Sequence, residues 1–64
     1  MVKLNGENLD IAGKTVAEYL SSANYNTARI VTEINGTIVP KSQYDSTTFA
    51  DGDTVEIVSF VGGG

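Results

Sequence analysis

The chain has 64 residues, with eight Asp and Glu against four Lys and Arg, a formal net charge of −4, and neither Cys nor His. A chain this short holds one domain with a small core. It offers no thiol nucleophile, disulfide framework or common zinc-site spacing, so an autonomous enzyme with its own cofactor is not expected. The acidic balance speaks against nucleic acid and points to basic partners. No apolar run approaches the ~18 residues of a membrane span, and Met1 is not followed by a basic n-region and an apolar h-region. The chain therefore reads as soluble and cytoplasmic, with no membrane partner.

Val2-Lys3-Leu4-Asn5 alternates apolar and polar, Asn5-Gly6 signals a tight turn, and Leu9-Asp10-Ile11 alternates again. This predicts a β-hairpin with Val2, Leu4, Leu9 and Ile11 as candidates for its buried face. Thr15 and Glu18 stand at capping-box spacing and open a helix. Val16, Tyr19, Leu20 and Ala23 share its apolar face, and Asn24-Tyr25-Asn26-Thr27 supplies a polar stop. Ile30-Val31-Thr32-Glu33-Ile34 predicts a strand, turned by Asn35-Gly36 toward Thr37-Ile38-Val39. Pro40 cannot donate to a ladder, so the segment through Tyr44 is an irregular crossing with one helical turn, anchored by Tyr44 and Phe49. Asp51-Gly52-Asp53 forms a turn whose chemistry accounts for both carboxylates without a metal. The long β-type run at 54–61 is a central strand. The order gives an α+β layer, one helix on one face of a mixed sheet.

This ββαββ order, the Ile34-Asn35-Gly36-Thr37-Ile38-Val39-Pro40-Lys41 segment with Tyr44 after it, the Asp51-Gly52-Asp53 turn and the closing Gly63-Gly64 resemble the sulfur carrier proteins of thiamin biosynthesis, a ubiquitin-like β-grasp family. The resemblance covers essentially the whole chain and divides it into a β-grasp domain at 1–61 and a flexible glycine tail at 62–64. It implies a carrier, not an enzyme. An adenylating, E1-like enzyme would use ATP to activate the C-terminal carboxylate, a sulfur donor such as a persulfide-bearing desulfurase would convert it to a thiocarboxylate, and thiazole synthase would take the sulfur.

The tail suits such a role on physical grounds. A terminal carboxylate is inert until a mixed anhydride with AMP gives it a leaving group. With no Cys in the chain, partners must supply both sulfur and catalytic groups. Gly62, Gly63 and Gly64 have no Cβ and can enter a narrow site, reaching roughly 10 Å when extended. Ordering them costs about 1–2 kcal/mol each, so the folded body must supply the docking contacts.

Strand alternation suggests where those contacts are. With Ile30, Thr32, Ile34, Val55, Ile57 and Ser59 toward the helix, Val31, Glu33, Glu56, Val58 and Phe60 face outward. A one-residue shift would exchange these faces, but the chosen register places both Glu residues on the helix-free side. Val31, Val58 and Phe60, rimmed by Glu33 and Glu56, then form an interface patch leading to Gly62 and Gly63, with Gly64 as the reacting terminus. Ordinary strand packing is the competing reading of Val58 and Phe60. For the chain as a whole, the competing readings are a carrier for molybdopterin or another sulfur-containing product, a ubiquitin-like protein modifier, and a plain interaction module.

Overall fold

The computed structural model describes residues 1–60. The tail at 62–64, and Val61 at the end of the expected last strand, lie outside the described residues.

The first hairpin joins β1 (Val2–Leu4) to β2 (Glu7–Leu9), with Leu4 opposite Glu7 and Val2 opposite Leu9. Asn5 and Gly6 form its two-residue turn at φ +50° and +84°. Two successive positive φ values give the twist that matches paired strands. Helix α1 (Val16–Ser22) begins in the expected capping box: Thr15 Oγ1 accepts from the Glu18 backbone N–H, and Glu18 Oε1 accepts from that of Thr15. The bond from the Thr15 backbone, that with its side chain and the charge of Lys14 hold the Glu18 carboxyl below its ordinary pKa.

The helix ends one residue earlier than its apolar spacing suggests. Ala23 is an exposed C-cap and not part of the buried stripe, which is carried by Val16 and Leu20. Asn24 takes the left-handed conformation at φ +61°, its N–H reaching the Ser21 carbonyl while that of Tyr25 reaches Leu20. This pair of bonds is the Schellman arrangement, which satisfies the last helical carbonyls. A 3₁₀ turn, Thr27–Arg29, follows, capped by the Asn26 side chain on Ala28.

Strands β3 (Ile30–Ile34) and β4 (Thr37–Val39) form the second Asn-Gly hairpin. After a 3₁₀ turn at Lys41–Gln43, the chain passes back along the start of the helix. There Gly13 donates to the Phe49 carbonyl, Phe49 to Lys14 and Val16 to Thr47. Tyr44 and Phe49 are buried in this crossing, as expected, and the Tyr19 ring meets Phe49 edge-on at 6.0 Å.

Strand β5 (Thr54–Ser59) lies at the centre of a five-stranded sheet in the order β2-β1-β5-β3-β4. It runs parallel to β1 and antiparallel to β3. The result is the β-grasp arrangement of one helix on a mixed sheet, with β4 as a strand additional to the simple ββαββ order. Val2, Leu4, Leu20, Phe49, Val55 and Ile57 fill the core between helix and sheet.

Both turn asparagines also bind β5. The Asn5 amide accepts from the Ile57 N–H at 2.9 Å and donates to the Ile57 carbonyl at 3.2 Å, extending the parallel ladder by one rung with a side chain. The Asn35 amide accepts from the Thr54 N–H at 2.9 Å and donates to Asp53 Oδ1, while Asp53 Oδ2 accepts from the Ala50 N–H. Asn35→Ala removes two of these bonds and places Ala at φ +52°. It is expected to lower the unfolding free energy by about 2–3 kcal/mol in urea denaturation.

Thr32 is fully buried on the helix side of β3, and its hydroxyl has no hydrogen-bond partner. Ser59, the polar residue expected inside, is exposed instead. The reason is that β1 turns away at Asn5, leaving the end of β5 with a neighbouring strand on one side only. Since an unpartnered buried hydroxyl is a net cost, Thr32→Val should raise stability by about 1 kcal/mol in the same assay.

Candidate functional site

The helix covers one face of the sheet, and the opposite face stands open. Val31 is opposite Val58 and Glu33 opposite Glu56 across β3 and β5. Val55 and Ile57 are buried, whereas Glu56 is exposed and Val58 and Phe60 are 52% and 46% exposed. The structure thus places the five outward candidates Val31, Glu33, Glu56, Val58 and Phe60 together on the helix-free face. Phe60 lies one residue beyond β5 but keeps the pairing, its N–H donating to the Arg29 carbonyl at 2.9 Å.

One residue of this face escapes the alternation argument as applied to β3 and β5 alone. Ile38 on β4 is opposite Glu33 and 62% exposed, the most exposed large apolar side chain among the described residues. Its placement follows from the two-residue turn, which fixes Ile34 opposite Thr37 and therefore Glu33 opposite Ile38. With Ile38 added, the two carboxylates are not a rim. They sit side by side in one row, Ile38–Glu33–Glu56, with the Val31–Val58 pair and then Phe60 in the rows leading toward residue 61.

The arrangement holds groups that can bind a protein surface but none set up for acid–base or metal chemistry. Among the described residues no three His, Cys, Asp or Glu side chains gather to hold a metal ion. The Asp53 carboxylate is occupied by the bonds to Asn35 and Ala50, and Asp51 pairs with the amino group of Met1. An open depression of roughly 400 Å³ lies away from the patch, between the helix and the Lys41 turn, and is lined by Ser21, Tyr25, Lys41 and Asp45 among others. No helix of the described residues is long and apolar enough to cross a membrane. Gly62, Gly63 and Gly64, the remaining candidates, lie outside the described residues.

Residues 2–64 match the model of the ThiS family. The chain belongs to this family. It is 35% identical over 68 aligned residues to the sulfur carrier protein ThiS of Bacillus subtilis, with 100% of both chains covered. A thiazole synthase of Paramagnetospirillum magneticum is 40% identical over 62 residues, which are 95% of this chain and 19% of that protein. The crystal structure of the ThiS thiamine biosynthesis protein from Geobacter metallireducens superposes with a TM-score of 0.79 at 33% identity, covering 98% of this chain and 97% of that one.

The exposure of the patch separates it from the core that defines the ThiS fold. Phe60→Ala and Val58→Ala should each lower stability by less than about 1 kcal/mol. Phe49→Ala, which empties a fully buried site, should cost about 3–5 kcal/mol. Urea denaturation of the three variants checks the contrast.

Proposed function

We propose that this chain, a ThiS-family sulfur carrier of thiamine biosynthesis, carries sulfur as a thiocarboxylate on Gly64 and is loaded by an ATP-dependent adenylating enzyme. The observation that carries the reading is the placement of Val58 on the open face of β5 and of Phe60 directly after that strand, shortly before the glycine sequence. A partner gripping this face holds the strand from which the reacting terminus extends.

The chemistry divides between carrier and partners. A carboxylate oxygen of Gly64 attacks the α-phosphorus of ATP and pyrophosphate leaves. The terminal sulfur of a persulfide, such as one borne by a desulfurase, attacks the acyl carbon and AMP leaves. A second thiol then opens the resulting acyl disulfide, releasing the thiocarboxylate and a disulfide of the two thiols. Thiazole synthase is the proposed acceptor, a reading supported by the P. magneticum thiazole synthase that contains a stretch similar to nearly all of this chain. No cofactor is required on the carrier itself, and a cytoplasmic location fits its use of ATP.

Because the body docks at a fixed place, the reach of the terminus matters. Adding one Ala after Gly64 moves the carboxylate by about 3.3–3.6 Å. ATP–pyrophosphate exchange with the adenylating enzyme should fall to background, and no sulfur-for-oxygen mass gain should follow addition of a persulfide donor. Native rates of exchange and sulfur gain by the extended chain would show that Gly64 is not the working terminus. Covalent attachment to protein lysines would instead identify a modifier.

A further inference from the structure

We infer that the open sheet face is closed by one basic side chain of the adenylating partner, an arginine or lysine inserted between Glu33 and Glu56. The inference rests on the proposed function and specifies the partner surface. Directly opposite residues in an antiparallel pair have Cβ atoms roughly 4.5–5.5 Å apart, and like charges at that distance repel. Glu33 and Glu56 are such a pair. Neither has a cationic partner within 4.0 Å among the described residues. Lys3 stands in the next row beside Thr54, and Arg29 lies at the far end opposite Phe60, and neither forms an ion pair with them.

The apolar surroundings decide what can cover this pair. Val31 and Val58 flank it on one side and Ile38 adjoins Glu33 across β4, so an apolar partner that buried the valines would also strip water from both carboxylates. That loss is prohibitive unless a cation enters with the partner. A guanidinium offers five N–H donors in a planar fork and can bond both carboxylates at once, and an ammonium can lie between them. A second copy of this chain is a poor occupant. Joined through the same face, two copies would bring four carboxylates together, on chains of formal net charge −4 each.

The test uses the full chain with Glu33→Gln and Glu56→Gln together, the shape being kept and the charge removed. The melting temperature of the free chain should rise, because a repulsion is relieved, while affinity for the adenylating enzyme falls by about tenfold or more in calorimetric titration. Added NaCl should weaken binding of the native chain and barely alter that of the variant. Glu33→Lys, which sets a cation opposite Glu56, should fold at least as stably as the native chain and fail to bind. If the native chain binds and supports pyrophosphate exchange while the double variant binds equally well, the inference is overturned and the proposed function stands. If the native chain neither binds nor supports exchange, both are overturned.

Discussion

The structure depends on the hold that two side-chain amides have on the central strand. β5 is the last strand in the chain and the middle strand of the sheet, so every long-range pairing between the two hairpins runs through it. Asn5 and Asn35, each at the tip of a hairpin, bond its backbone as a neighbouring strand would. In the parallel pairing this matters most, because β1 has only three residues and turns away before β5 ends. The Asn5 amide supplies a rung that the β1 backbone cannot reach. These bonds close contacts 52 and 19 residues apart in sequence, and so hold the final strand to both halves of the fold.

This arrangement explains how a short domain can keep one sheet face open. One seven-residue helix, about 10 Å long, covers only part of a five-stranded sheet. The loop carrying Tyr44 and Phe49 completes the cover on that side, through backbone bonds to the start of the helix. Nothing in the described residues covers the other side. The buried apolar set is thus concentrated on one face of β5, and the outward Val58 and Phe60 are spare to the core. Their exposure follows from the number of layers and from the alternation of a single strand.

Much of this was legible in the residues, and the departures have particular causes. The capping box, both Asn-Gly turns, the Tyr44 and Phe49 anchors and the faces of β3 and β5 follow from local spacing. The second role of Asn5 and Asn35 does not, since it depends on which strand lies beside the turn once the chain has folded. Ala23 fits the helical period but falls at the cap, where the left-handed Asn24 ends the helix first. Ser59 fits the inward period but lies past the end of β1. Ile38 could be placed from the two-residue turn, yet its role on the face appears only when three strands are read as one row. The glycines carry no side-chain pattern, and their reading rests on position in the sequence and on family resemblance.

The proposed function sets two opposed demands: the reacting group would have to enter other proteins' sites, and the chain would have to be recognised by them. Side chains near the terminus would aid recognition but hinder entry. The sequence separates the demands along one strand: β5 presents alternating apolar and acidic groups on its open face, and the residues after 61 carry no side chains at all. In the proposed function, recognition falls to a face whose backbone is already held by strand pairing, so that ordering costs are met in folding. In that reading the glycine sequence offers a partner no side chain to grip. On the proposed reading the pairing of β5 with β3 bears on the chemistry, because it fixes the point from which the reach of the terminus would be measured.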